Sequence, residues 1–240
     1  MKVNLMITCL ADVLRPGAGR ATVNLLRRLG HEVGFPAAQT CCGQPFYNSG
    51  FADLARQQAR HTIDVFEEDC PVVTPSGSCA AMVKIEYPHL LEHDTQWSSR
   101  AQELSARTFE LGDFLVNRLG IVDVGAKYQG RVTYHYACHL RGLGLIDEAV
   151  RLIQHVDGVT YLPLARQDQC CGFGGSFAVR YPQISGAMVA DKAQCILQTE
   201  ADTVVSTDTG CLMNIGGRLQ RQARPIAVMH LAEMLDQRGS

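Results

Sequence analysis

Gln39-Thr40-Cys41-Cys42-Gly43-Gln44-Pro45 returns later in the chain as Gln169-Cys170-Cys171-Gly172-Phe173-Gly174-Gly175. Two adjacent cysteines followed by glycine are uncommon, and the chain has the triplet twice. The other cysteines extend the repeat. Thirty-one residues separate Cys9 from Cys41, and 31 separate Cys138 from Cys170. Cys79 follows the first pair after 36 residues and Cys211 follows the second after 39. The first three cysteines of each set are related by a constant offset of 129, and eight of the ten cysteines fall into the double pattern. The pattern reads as two sets of metal-cluster ligands: Cys9, Cys41, Cys42, Cys79 and Cys138, Cys170, Cys171, Cys211.

The elements around the repeat give the fold class. Val3 to Thr8, Glu32 to Pro36 and Pro71 to Pro75 are β-prone runs, each leading into a patterned cysteine. Apolar residues at helical spacing follow over Ala21–Leu29, from about Phe51 to Glu68, and from about Ala80. Glu86 to Arg100 is polar and has no clear period, and Phe109–Leu119 reads as a helix. Val122 to Gly130 reads as a linker. The order then repeats with strands over Arg131–Ala137, Thr160–Leu164, Thr203–Ser206 and Pro225–Met229. Helices are expected from Ile146 to His155, from Ile184 to Thr199, towards Gln222 and over Leu231–Gln237. Strands alternating with helices predict an α/β fold with small parallel sheets flanked by helices. Two pseudo-symmetric halves follow, 1–121 and 131–240, joined by 122–130. In such sheets the carboxyl ends of the strands share the ligand-binding edge. All eight patterned cysteines fall just past those ends. Cys70 stands at the start of its strand and Cys195 inside a helix, so both read as buried apolar cysteines.

Bulk properties exclude other classes. The 240 residues are 46% hydrophobic and 19% charged, as in an ordinary soluble globular protein. A net charge of −2 gives no basic field for nucleic acid. No apolar run approaches the ~20 residues of a membrane span, and the N-terminus reads as a strand rather than an export signal. Ten cysteines without an export signal imply the cytoplasm, where grouped thiols serve metals or redox chemistry rather than disulfides.

Iron–sulfur clusters take four cysteine thiolates, the number each half offers at its sheet edge. Gly43 and Gly172 permit the turn that aims adjacent cysteines at one group. Helices beginning near Ala80 and Leu212 would direct their positive ends at a negative cluster. Zinc is the alternative, although no short C-x₂₋₄-C knuckle is present. Other signals are weaker. Gly17-x-Gly19 and Gly142-x-Gly144 resemble dinucleotide turns but lack the third glycine, with Thr22 and Asp147 there, and read as tight turns over the clusters. His135, Cys138 and His139 form a compact group. His139 is a candidate for protonating a substrate or hydrogen-bonding a sulfide, against the default of a structural histidine. Arg141 and Arg180 could hold a carboxylate or lie free on the surface.

The segments Thr8-Cys9-Leu10-Ala11-Asp12, Gln39 to Pro45, Tyr47-Asn48-Ser49-Gly50, Ser76-Gly77-Ser78-Cys79, Cys170 to Gly175 and Asn214-Ile215-Gly216-Gly217-Arg218-Leu219 resemble the lactate-utilisation protein A family. That family belongs to a wider CysCysGly group, which includes the B subunit of heterodisulfide reductase. The resemblance implies a cytoplasmic iron–sulfur protein that oxidises L-lactate to pyruvate with two companion proteins, one a second iron–sulfur protein. L-lactate or an electron carrier is then the small partner expected. The relatives leave a thiol- or disulfide-handling role open, and a zinc-stabilised scaffold is a third reading. The heterodisulfide reductase subunits end each motif with Cys-x-x-Cys, whereas this chain has Met82 and Asn214 at those last positions. Neither replaces a thiolate, so one [4Fe-4S] cluster per half on four cysteines is expected. A variant with one iron left open near Met82 or Asn214 is the alternative.

Overall fold

The computed structural model describes residues 1–221 and 226–239. Its first half runs β1 (Lys2–Leu5), α1 (Cys9–Leu14), α2 (Pro16–Arg28), β2 (Glu32–Gly34), α3 (Gln44–Asn48), α4 (Ala52–Val65) and β3 (Val72–Thr74). It continues through α5 (Gly77–Ala81), a π-helical turn (Met82–Glu86), α6 (Tyr87–Leu90), α7 (Ser98–Arg107), β4 (Thr108–Glu110), α8 (Leu111–Asp113) and a second π-helical turn (Phe114–Arg118). The second half runs β5 (Lys127–Tyr134), a 3₁₀ turn (Cys138–Arg141), α9 (Glu148–Gln154), β6 (Asp157–Tyr161), α10 (Ser176–Arg180) and α11 (Pro182–Gln198). It ends with β7 (Thr203–Ser206), α12 (Thr209–Leu219), β8 (Ala227–His230) and α13 (Leu231–Asp236).

Each half has a four-stranded parallel sheet, ordered β2-β1-β3-β4 and β6-β5-β7-β8. The inner strands β3 (Val-Val-Thr) and β7 (Thr-Val-Val-Ser) are buried throughout. This is what a parallel sheet covered on both faces demands. The order reverses between β1 and β3, and between β5 and β7. Such a switch point opens a crevice at the strand carboxyl ends.

The helices pack through small stripes. α2 buries Ala18, Ala21, Leu25 and Leu26, and a fully buried leucine contributes about 1.5 to 3 kcal/mol. Gly17 and Gly19, expected in a loop, lie inside α2. A Cβ on Gly17 would meet the Glu233 carboxylate at 2.4 Å, and one on Gly19 would meet Ile7 Cδ1 at 2.7 Å. Their glycines serve close packing, and Pro16 starts the helix. Phe109, read as helical, is in strand β4 beside Val73. Its apolar spacing fits either period, and the β-branched Thr108 and pairing with β3 decide it. β5 begins at Lys127, inside the stretch read as a linker, and Val124 and Ala126 are buried in the core. Gln222 and Pro225, expected at the ends of a helix and a strand, lie outside the described residues.

One apolar core crosses both halves. Val3, Leu25, Leu26, Phe114 and Leu115 share it with Val132, Leu152, Ile153, Met234 and Leu235. Separate cores lie under α4 to α7 and under α11 and α12. Among the described residues no helix is long and apolar enough to cross a membrane.

Candidate functional site

Three strand ends in each half deliver the cysteines. Cys9 opens α1, where Thr8 caps the helix by accepting the Ala11 N–H. Cys79 lies in the first turn of α5, capped by Ser76, which accepts the Cys79 N–H at 3.2 Å. Cys41 and Cys42 lie between β2 and α3, where Gly43 has φ +85°. The sulfurs meet: Cys9 Sγ is 3.7 Å from Cys41 Sγ, and Cys42 Sγ is 3.3 Å from Cys79 Sγ. The Gly43 N–H donates to Cys41 Sγ at 3.5 Å. In the second half Gly172 has φ +80° and its N–H donates to Cys170 Sγ at 3.3 Å. Cys138 lies beside Cys170, and Cys171 beside both Cys170 and Cys211, the sulfurs of Cys171 and Cys211 within 4.8 Å of each other. No disulfide links any of the ten cysteines.

Crowded thiols share protons unevenly. Cys42 and Cys9 donate to Cys41 and, with the Gly43 N–H, lower it to about 3. Cys138 and Cys171 lower Cys170 to about 2 in the same way. The donors move up: Cys9 and Cys138 are raised by those hydrogen bonds and by burial, and Cys42 and Cys171 likewise. Each half thus holds one ready thiolate beside two thiols that keep their protons, and a bound cation would displace those protons.

The backbone of each cysteine pair is anchored from a helix behind it. Tyr87 Oη donates to the Cys42 carbonyl at 2.7 Å, and Asn214 Nδ2 donates to the Cys171 carbonyl at 2.8 Å. Asn214 is therefore a scaffold group, and Met82 is fully buried in the core. Cys70 and Cys195 stay apart, as expected. Cys70 is buried at the opposite end of β3, and Cys195 in α11 accepts a hydrogen bond from Arg166 at 3.0 Å. Arg141 and Arg180 are exposed, Arg141 paired with Asp168 and Arg180 beside the Tyr181 ring.

The two sites adjoin. Asp208, three residues before Cys211, accepts hydrogen bonds from Ser76 Oγ and Ser78 Oγ, each at 2.7 Å, and from the Ser78 N–H at 3.2 Å. Gln44 Nε2 donates to the Ser78 carbonyl and lies 3.2 Å from His139 Nε2. Because that nitrogen donates to Gln44's other neighbour, a carbonyl, His139 Nε2 must accept. Its Nδ1–H then faces Cys138 Sγ at 3.7 Å. His139 is thereby placed between the halves beside a ligand candidate.

Sequence reasoning missed Asp208, Tyr87 and Gln44 as site-shaping residues, and weighed Asn214 beside an open iron rather than on the Cys171 carbonyl. Asp208-Thr209-Gly210-Cys211 holds in the second half the place of Ser76-Gly77-Ser78-Cys79 in the first, but that correspondence does not say that the two segments touch. His135, grouped by the sequence with Cys138 and His139, is set by the structure against Cys171 and Cys211 instead. It is fully buried, with neither ring nitrogen hydrogen-bonded among the described residues. Its donor atom and the sulfurs of Cys171 and Cys211 all lie within 4.8 Å of one another. Burial, then the nearby Lys192 charge, lowers it to about 3, so the ring is neutral.

Two parallel sheets with four thiols at each carboxyl edge define a cysteine-rich-domain protein. That family, abbreviated CCG, matches residues 3–84 and 132–216. Within this class the chain belongs to the lactate utilization protein A family. It is 50% identical to Lactate utilization protein A of Anoxybacillus flavithermus over 99% of its own length and 100% of the relative's. Identity is 51% to that of Bacillus licheniformis and 47% to that of Bacillus subtilis, at the same coverage. Among solved structures, a putative Asp/Glu racemase from Yersinia pestis aligns over 98% of this chain and 96% of its own, at 11% identity and a TM-score of 0.38. That likeness is too loose to bear on function.

Proposed function

We propose that the chain is the iron–sulfur subunit of a cytoplasmic, multi-protein system that oxidises L-lactate to pyruvate. The observation that carries the reading is the meeting of four cysteine sulfurs at each of two adjoining sheet edges. Cys9, Cys41, Cys42 and Cys79 are the ligand set of the first half. Cys138, Cys170, Cys171 and Cys211 are that of the second. The donor chemistry fits a [4Fe-4S] cluster in each half: all-thiolate, partly buried, with backbone N–H groups directed at sulfur. Such a cluster supplies one-electron storage. The protein's own residues hold the thiolates in place, with Tyr87 and Asn214 fixing the cysteine pairs and Asp208 holding the two edges together. Lactate enters from the names of the relatives, and with it the companion proteins and an electron carrier as partners.

The test is an anaerobic reconstitution with iron and sulfide analysis. The wild-type chain should approach four iron and four sulfide per half. Cys42→Ser and Cys171→Ser should each remove about half of the iron, while Cys70→Ser and Cys195→Ser leave it unchanged. Equal loss from all four variants sinks the ligand assignment. Zinc without sulfide favours the scaffold reading instead. Failure to grow on lactate after deletion of the gene, restored by the wild-type copy, tests the pathway.

A further inference from the structure

The two ligand sets match, but the walls behind them do not. At the offset of 129 that relates Cys9 to Cys138, Met6 of the first half corresponds to His135 of the second. Both are buried at the end of the strand that feeds their site, Met6 2% exposed and His135 fully enclosed. A thioether needs no hydrogen bond. An imidazole enclosed without a partner is costly, by about 1 to 3 kcal/mol for each unpaired group. The ring lies against Cys171 and Cys211. Those sulfurs, and what they hold, are the acceptors within reach of its N–H.

A second difference lies on the helix behind. The buried face of α4 is Ala55, Ala59, Thr62 and Ile63, and that of α11 includes Ser185, Val189, Lys192 and Ala193. Gly43 approaches Ala55 and Gln58 as Gly172 approaches Ser185 and Met188, which fixes this register. Neutral Thr62 thus stands where the second half has Lys192. Lys192 is fully buried, and its Nζ donates to the Arg166 carbonyl at 2.6 Å and the Gln167 carbonyl at 3.3 Å. Those carbonyls belong to the loop that leads into Cys170. No carboxylate neutralises Lys192 by direct contact among the described residues.

We propose that His135 and Lys192 raise the reduction potential of the second half's site above that of the first, His135 as an N–H donor to sulfur and Lys192 through its buried charge. The inference rests on the iron–sulfur reading above. Added negative charge on reduction is stabilised by hydrogen bonds to sulfur and by nearby positive charge, the two levers that set cluster potentials. The four thiolates already complete the ligand set, so the imidazole acts as a donor and not as a ligand. Asp208, three residues before Cys211, works in the opposite direction. Its carboxylate is engaged by Ser76 and Ser78, which offsets part of its field.

The test uses redox titration followed by electron paramagnetic resonance on the full-length chain. Cys42→Ser leaves the second half to be read alone, and Cys171→Ser leaves the first. The second half should be the easier to reduce by tenfold or more, about 59 mV for one electron. In the Cys42→Ser background, His135→Met should lower the midpoint, His135→Gln, which keeps an N–H donor, should restore most of it, and Lys192→Thr should lower it as well. Equal midpoints, or a lower one in the second half, overturn the proposal without recourse to the His135 and Lys192 variants. An unchanged midpoint in His135→Met with iron and sulfide intact does the same. Iron loss in both His135 variants makes the ring a ligand and overturns the donor role. A wild-type chain that takes up no iron or sulfide removes the underlying reading as well, whereas a loaded chain with matched midpoints removes this inference alone.

Discussion

Gly43 and Gly172 do the same job under different constraint. Both hold left-handed backbone, which a residue with a Cβ adopts at a cost of about 1 to 2 kcal/mol. At Gly43 the added carbon would meet Gln58 Cβ and Cγ at 3.1 Å, a tight contact that a movement of a few tenths of an ångström relieves. At Gly172 it would meet the Ser185 backbone carbonyl oxygen at 2.8 Å and Met188 Cβ at 2.9 Å, closer than real Cβ contacts and against the backbone of α11. Overpacking of that kind adds about 1 to 3 kcal/mol. Gly172→Ala should therefore lower the melting temperature of the metal-free chain more than Gly43→Ala does. Calorimetry of both variants checks it, and the reverse order would show that backbone strain and not contact decides. The anchors belong to the same scale: one half ties its cysteine pair with a tyrosine, the other with an asparagine from a different turn of the helix.

At the scale of the element, the short last helices show how the same position can be capped by different chemistry. In the second half His230 caps α13, with Nδ1 accepting the Ala232 N–H at 3.1 Å and Nε2 shared between the Pro75 and Thr207 carbonyls at 3.0 Å each. In the first half Glu110 caps α8, with Oε2 accepting the N–H of Gly112 at 2.6 Å and of Asp113 at 3.2 Å. Glu110 is buried beside Tyr134 and Thr207, and its Oε1 has no hydrogen-bond partner among the described residues. Burial, helped by the charges of Asp208 and Asp113 and opposed by the two N–H donors, raises Glu110 to about 8. The folded chain holds this proton more tightly than the unfolded one, whose carboxyl titrates near 4.5. The contribution is therefore full below pH ~4.5 and is lost as pH rises to about 8. Glu110→Gln keeps an acceptor for the cap and removes the titration. Its stability, followed by denaturant melts from pH 5 to 8, should decline less with pH than that of the wild type. Parallel pH profiles would show that the carboxyl is already ionised when folded.

Across the whole molecule the halves exchange their last helices. α13 of the second half lies on α2 of the first, where Arg28 pairs with Asp236 at 2.8 Å and donates to the Leu235 carbonyl. The first half reciprocates: α8 and the π-helical turn after it lie on α9, with Asn117 donating to Glu148 at 3.1 Å. Each half thus completes the other's core: Leu231, Met234 and Leu235 are fully buried in the same apolar cluster as Leu25 and Leu26 of α2. A chain ending before Leu231 should lose the first half as well as the second. Circular dichroism and limited proteolysis of that truncation should report an unfolded or aggregated chain. A protease-resistant first half would show that the halves are independent.

The sequence alone determined the alternation of strand and helix, the two-fold repeat and the convergence of eight cysteines. Each follows from local periodicity and from a parallel sheet's habit of placing every strand end at one edge. The left-handed glycine after each cysteine pair was legible for the same reason: two neighbouring side chains can face one point only through an unusual turn. Gly17 and Gly19 were misread because a glycine that permits a turn and a glycine that permits contact look alike until the contacting Glu233 and Ile7 are known. Phe109 was misread because a strand of three residues is too short to show its period. Only the tertiary structure brought Asp208 onto Ser76 and Ser78, set α13 on α2, and turned His135 towards Cys171 and Cys211. Those contacts join residues far apart in the chain, and no spacing encodes them. They exist because two similar halves, each with an unfinished apolar face, bury those faces against one another.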